Sequence, residues 1–128
     1  MSEEKKVLIG TVKWFDCRRG YGFVTVDDTN YFMHYSSINM PDRKKYLDTN
    51  DTVEFEPGKN EKGLIATNVT PILTLGMIRR VLKKEGLYVK TLYYGNEVYH
   101  IVDENNILQS PEHGMNFNEL AKYAELVS

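Results

Sequence analysis

The chain has 128 residues, 41% of them hydrophobic, and a formal net charge of −2 at pH 7. This length allows one ordinary domain or two small ones, and the composition fits a globular protein. A polycationic tail is excluded: residues 1–73 hold 10 Lys or Arg against 11 Asp or Glu, and residues 74–128 hold 6 against 7. We therefore expect any binding to an anionic partner to rest on local basic groups and stacking rather than on a global field.

Cys17 is the only cysteine, so an intramolecular disulfide is excluded, and no Cys or His cluster suggests zinc. The first six residues are mostly charged and precede only three apolar residues, which predicts that there is no signal peptide. No apolar run approaches the roughly 20 residues of a membrane span. We expect a cytoplasmic protein that binds no metal or cofactor.

The first half of the chain contains three predicted strands in which aromatic residues alternate with glycine and basic residues. Their sequences are Lys13-Trp14-Phe15, Arg19-Gly20-Tyr21-Gly22-Phe23-Val24 and Tyr31-Phe32-Met33-His34-Tyr35. Side chains alternate between the two faces of a strand. If Gly22 and Val24 face the core, Tyr21 and Phe23 therefore point outward.

The same alternation places Phe32 and His34 on one face and makes Lys13 outward-pointing, with Val12 in the core. Trp14 and Phe15 are adjacent, so a β-bulge is needed if both are to be exposed. One interpretation is purely structural: the aromatic residues form a β core rich in tyrosine and phenylalanine. The alternative is stacking on nucleic-acid bases, at roughly 1–3 kcal/mol per base.

The order of the motifs favours the second interpretation. The segments are Gly10-Thr-Val-Lys-Trp-Phe15, Gly20-Tyr-Gly-Phe23, Phe32-Met-His-Tyr-Ser-Ser-Ile38, Val53-Glu-Phe-Glu56 and Ala66-Thr-Asn-Val69. Over about residues 6–70 this arrangement resembles the cold-shock domain family. The resemblance implies an all-β five-stranded OB-fold barrel in residues 1–73 that binds single-stranded RNA or DNA.

The family's contact positions are matched one by one in this chain. The resemblance implies base or phosphate contacts for Lys13, Trp14, Phe15, Tyr21, Phe23, Phe32, His34, Tyr35 and Lys62. Two inward positions that are usually valine in the family are Tyr31 and Met33 here, so we expect the core beneath that strand to be repacked, with the C-terminal region as one candidate for the packing partner. In the long loop, Lys44 stands where an aromatic residue is expected, and Tyr46 is a nearby substitute. Arg43-Lys44-Lys45 either contacts phosphates or forms a solvated loop.

The second half, residues 74–128, predicts a small α+β unit of order α-β-β-α. Thr74 caps a helix over Leu75–Glu85 that Gly86 ends. The exposed cations of this helix either contact phosphates or form a solvated face; they are Arg79, Arg80, Lys83 and Lys84. A Gly95-Asn96 turn predicts a hairpin of Leu87–Tyr94 and Glu97–Val102. In it Tyr93 is opposite Val98 and Leu92 is opposite Tyr99.

This register predicts a tyrosine-rich outer hairpin face that holds Tyr88, Tyr94, Tyr99 and Ile101. It is a docking surface against the barrel, a dimer interface or a second stacking platform, in that order of preference. Asn116 and Glu119 predict a capping box for a last helix. A unit this small is marginal alone, so we expect it to dock or to self-associate.

Two function classes follow for the whole chain. The first is single-stranded RNA or DNA binding of an RNA-chaperone or gene-regulatory type; a variant of it is an adaptor whose second domain dimerises or binds a protein partner. The second is an enzyme, for which the only testable cluster is His100, Asp103, Glu104 and His113. No nucleophile, base and orienting group can be assembled from these residues, so we expect no enzyme activity.

Overall fold

The computed structural model describes residues 6–41, 46–93 and 97–126. Its contacts divide the chain into two units, Met1–Thr74 and Leu75–Ser128. The break falls after Thr74, whereas the sequence suggested a break after residue 73. Docking or self-association of the second unit stays a prediction.

The first unit is a closed barrel, as predicted. Its strands are β1 (Leu8–Asp16), β2 (Tyr21–Val26), β3 (Thr29–His34), β4 (Thr52–Asn60) and β5 (Gly63–Leu73). Their order around the barrel is β1-β2-β3-β5-β4. Neighbouring strands are antiparallel except β3 and β5, which pair in parallel and close the barrel. A short 3₁₀ turn, Tyr35–Ser37, follows β3.

The barrel core contains the inward residues that alternation predicts. Val12, Val24 and Met33 are fully buried, as is Phe55 of β4. The ring of Tyr31 lies with its centroid 5.0 Å from that of Phe55. The barrel therefore accommodates the two unusual residues of β3 within its own core.

A β-bulge in β1 lies between Val12 and Trp14, one residue before the Trp14–Phe15 pair where the sequence suggested a bulge or twist. Val12 pairs with Val24, but Trp14 pairs with Phe23, so the register shifts between Val12 and Trp14. The bulge turns Trp14 to the solvent side, whereas Phe15 packs partly against the barrel core. It therefore exposes the first of the two adjacent aromatic residues more than the second.

Gly22 lies where the backbones of β1 and β2 approach most closely. A Cβ atom there would lie 2.1 Å from the carbonyl oxygen of Trp14 and 2.7 Å from Cα of Phe15. Both are backbone atoms, so rotation of a side chain cannot relieve the clash. Any residue with a Cβ must therefore move one strand away from the other.

The second unit has the predicted order α-β-β-α. Its elements are α1 (Leu75–Lys83), β6 (Tyr88–Tyr93), β7 (Glu97–Val102) and α2 (Phe117–Tyr123). Gly86 ends the first helix with a left-handed φ of 73°. The amides of Gly86 and Leu87 donate to the carbonyls of Lys83 and Leu82, which forms a Schellman cap.

The predicted hairpin register is wrong by one residue. Tyr93 pairs with Glu97 and Leu92 with Val98, so three residues rather than two separate the paired ends; the proposed turn at 95–96 lies outside the described residues. A shift of one residue exchanges the two faces of a strand. Tyr99 and Ile101 are consequently buried in the unit, not exposed on a tyrosine-rich face.

Tyr99 is the centre of the second unit's core. It is fully buried, and its ring centroid lies 6.0 Å from that of Phe117 in α2. Its backbone exchanges two hydrogen bonds with Met115, so the segment before α2 pairs with the outer edge of β7. The predicted capping box is confirmed: Asn116 Oδ1 accepts from the amide of Glu119, whose carboxylate accepts from the amide of Asn116.

Gly22→Ala should lower the free energy of unfolding of the barrel by about 1–3 kcal/mol, the range for forced overpacking. Urea unfolding followed by the fluorescence of Trp14 measures this change. The control is Gly58→Ala, since its Cβ would meet only the movable side chain of Ile65 at 3.2 Å. Equal stability of the two variants would contradict the close approach of β1 and β2.

Candidate nucleic-acid interface

The outer surfaces of β1, β2 and β3 form a continuous aromatic face. Its members are Trp14, Tyr21, Phe23, Phe32, His34 and Tyr35. Trp14 pairs with Phe23 across β1 and β2, and Phe23 pairs with Phe32 across β2 and β3. Tyr21 pairs with His34 in the same ladder. Alternation on three neighbouring strands therefore brings together the predicted aromatic residues of the barrel.

The rings of the aromatic face support one another through their edges. The ring centroid of Trp14 lies 5.6 Å from that of Tyr21 and 5.4 Å from that of Phe23, in T-shaped arrangements. Phe32 lies 5.8 Å from Phe23 in the same way. These edge contacts hold Trp14, Phe23 and Phe32 without stacking a parallel ring among the three. The ring of Tyr21 lies 5.6 Å from that of Phe32 with an angle of 32° between their planes. Trp14 keeps 37% of its surface exposed.

The ring of Tyr35 lies at one end of this face. It packs beside His34, with centroids 4.6 Å apart, and remains 47% exposed. Gly20 permits this position, because a Cβ atom there would lie 2.8 Å from Cδ1 of Tyr35. The amide of Tyr35 donates to the carbonyl of Gly20, which holds the two segments together.

Two hydrogen bonds from Ser36 orient the ring of His34. The backbone amide of Ser36 donates to Nδ1 at 3.2 Å, and the hydroxyl oxygen lies 2.8 Å from the same nitrogen. Because Nδ1 accepts from the amide, the neutral ring carries its proton on Nε2. This nitrogen is therefore a donor for a base or phosphate oxygen.

Three exposed cations lie on strands or turns that carry or border the aromatic face. Lys13 is exposed on β1, and Lys62 is exposed in the turn between β4 and β5, where its amide donates to Oδ1 of Asn60. Arg19 donates to the hydroxyl of Tyr21 at 3.5 Å and lies 3.7 Å from Asp16. These neighbours, the tyrosine first, raise the pKa of Arg19, which stays a cation.

An open groove of about 800 Å³ extends the face toward the β4–β5 turn. Phe23, Phe32 and Lys62 line it together with residues that the sequence did not single out: Asn30, Asn60, Glu61, Gly63, Leu64 and Ile65. The parallel pairing of Phe32 with Ile65 brings them together. On β5, Leu64 is exposed and Ile65 is half-exposed. Strand alternation would have assigned only one of these two adjacent residues to the outer face.

Two predicted contact regions lie apart from the face or outside the described residues. Phe15 packs partly against the core while keeping intermediate exposure, so its contact role stays a prediction. The basic triplet 43–45 lies outside the described residues. Tyr46 is 49% exposed, and burial of its hydroxyl with the neighbouring Asp48 carboxylate raises its pKa to about 12.

The cluster considered for catalysis is engaged in local structure. Both oxygens of Asp103 accept hydrogen bonds within its own loop, from the amides of Asn105 and Ile107 and from the side chain of Gln109. His100 Nε2 lies 3.1 Å from the carbonyl oxygen of Glu112. Across the part of the chain that the structure describes, no group of three His, Cys, Asp or Glu side chains is arranged to hold a metal ion.

A closed five-stranded barrel with an aromatic, basic outer face defines the OB-fold class of oligonucleotide-binding modules. A comparison with protein families is more specific: the family described as "'Cold-shock' DNA-binding domain" matches residues 8–72. The chain belongs to this family.

Relatives share the barrel. The major cold shock protein of Micrococcus luteus is 46% identical over 68 residues, 52% of this chain and 100% of that protein. Human Y-box-binding protein 3 is 46% identical over 76 residues, and the match spans only 20% of its length. The match to a solved structure titled drosophila Unr CSD456 covers 86% of this chain and 53% of that chain, with 14% identity and a TM-score of 0.45.

Within the described ranges, none of the helices has the length and apolar character needed to cross a membrane.

The orientation of the His34 ring predicts its tautomer. At a pH where the ring is neutral, long-range ¹H–¹⁵N spectra should show the proton on Nε2, because Nδ1 accepts from Ser36. Ser36→Ala removes one of the two donors and should increase the share of the Nδ1-protonated form. A predominantly Nδ1-protonated His34 in the wild type would contradict the arrangement.

Proposed function

We propose that the barrel binds single-stranded RNA or DNA by stacking successive bases on the aromatic face. The cross-strand row Trp14–Phe23–Phe32 carries the proposal, because it presents three neighbouring rings on the solvent side of three strands. Every base has a π-face, so such a row accepts a strand with little dependence on sequence. In a duplex these faces are already stacked, which favours single strands.

Phosphates follow the edge of this row. Lys13 and Lys62 neutralise them, with Arg19 beside Tyr21, and Nε2 of His34 donates to an oxygen of the ligand. Membership of the cold-shock family supports this reading, since its description is that of a nucleic-acid-binding domain. The acidic net charge of the chain places more of the binding free energy in stacking than in ion release.

The physiological role that this activity serves is RNA chaperoning or regulation of gene expression in the cytoplasm. A protein that binds only the melted strand shifts the folding equilibrium of RNA by mass action, and this requires no ATP. The proposal includes no catalytic step. A protein partner or dimer contact of the second unit stays a prediction.

Trp14 is the only tryptophan, so its fluorescence reports directly on the face. Titration with a short single-stranded pyrimidine oligonucleotide should quench it strongly, and the matching duplex should quench it little. Equal quenching by both, or none by either, would contradict stacking on this face.

Phe32→Ala and Phe23→Ala should each weaken binding of that oligonucleotide by about 1–3 kcal/mol, the usual effect of removing one stacking ring. Tyr88→Ala is the matched control, since it removes an aromatic ring that is 44% exposed on a strand of the second unit. Circular dichroism establishes that each variant is folded. Wild-type affinity in a folded Phe32→Ala protein would show that the contact face lies elsewhere.

A further inference from the structure

The first helix of the second unit carries a concentration of positive charge that the barrel's role does not explain. Four of the six Lys and Arg residues in 74–128 lie within residues 79–84, and no Asp or Glu lies between Leu75 and Lys84. They are Arg79, Arg80, Lys83 and Lys84. All four are exposed.

Burial fixes the orientation of this helix. It packs Leu75, Ile78 and Leu82 inward, which turns the cations to the opposite side. Residues four apart lie one above the other on a helix, so Arg79 stands over Lys83, and Arg80 is in line with Lys84 just beyond the last helical residue. The result is one basic strip about two turns long.

Within the described residues the strip has one acidic neighbour in sequence, Glu85, which directly follows Lys84. None of its four cations forms an ion pair there; the described ion pair is that of Arg19 with Asp16 in the barrel. Like charges four residues apart on a helix repel each other. A bound polyanion would relieve this repulsion.

From these observations we infer that the basic strip of α1 is a second nucleic-acid contact, which binds the sugar-phosphate backbone of a strand whose bases stack on the barrel. The inference extends the proposed function to the second unit. Exposed lysine and arginine on a regular helix suit phosphate contacts, which position a strand without reading its bases. The site adds affinity and length of bound strand, not sequence preference.

The experiment compares two doubly substituted full-length proteins, each of which loses two positive charges from the second unit. Arg79→Gln/Lys83→Gln alters the strip, whereas Lys90→Gln/Lys122→Gln alters two exposed lysines elsewhere in the unit. Binding is measured by fluorescence anisotropy against salt. The probes are oligothymidines of about 6 nucleotides, enough for one barrel, and about 24 nucleotides, longer than any single OB-fold site.

On the long probe, the plot of log affinity against log salt should be shallower for the strip variant than for the wild type by about 1.4. Each of the two lost phosphate contacts contributes roughly 0.7 to this slope. When the salt concentration rises fourfold, the ratio of wild-type affinity to strip-variant affinity should therefore fall about sevenfold. On the short probe the two variants and the wild type should agree. In the control double variant, the slope on the long probe should change by less than half as much as in the strip variant.

Three outcomes overturn the inference: an unchanged slope in the strip variant, an equal change in both doubles, or an equal change on both probes. An unchanged slope would mean that the strip does not contact the phosphates of the bound strand. Failure of the barrel proposal is separately visible, because the wild type would then not quench Trp14 with the short probe while the long probe still reported on the strip.

Discussion

The close approach of the β1 and β2 backbones at Gly22 is the constraint on which the barrel's surface chemistry depends. No Cβ separates the strands there, so the bulged part of β1 stays paired with β2. The bulge turns Trp14 outward while Val12 remains in the core. The first ring of the aromatic face is thus placed by a backbone contact as well as by its edge contacts with Tyr21 and Phe23.

The rings of the face are held but not hidden. T-shaped contacts between Trp14, Phe23 and Phe32 give each ring a fixed edge partner, which limits the conformational entropy that binding would otherwise have to remove. Tyr31 and Met33, on the opposite side of β3, fill the core beneath. The same strand therefore serves stability with one face and ligand access with the other.

Sequence alternation predicted which residues of the first three strands face the core, because one face of each strand is buried and the period of two is strict. The closed five-stranded barrel was what the resemblance to the cold-shock family implied. Adjacent aromatic residues were harder: exposing both Trp14 and Phe15 needed a bulge or twist at that pair, whereas the bulge lies before Trp14 and Phe15 packs partly against the core. The predicted register of the hairpin was wrong because it depended on the length of the loop. A two-residue turn was assumed from Gly95-Asn96, whereas Tyr93 pairs with Glu97. The groove beside Lys62 was missed because the parallel pairing of β3 with β5 is non-local.

That parallel pairing is also the weakest seam of the barrel. Its ladder consists of Phe32 with Ile65 and Met33 with Ala66, followed by a single bridge from Ile38 to Val69. More than thirty residues separate the partners, so closing the seam costs loop entropy that the antiparallel hairpins avoid. Because it has the fewest paired residues, the seam should be among the first parts of the barrel to exchange its amide hydrogens. Phe32 belongs to both the seam and the aromatic face. A nucleic-acid strand bound across both should therefore slow the opening of the barrel.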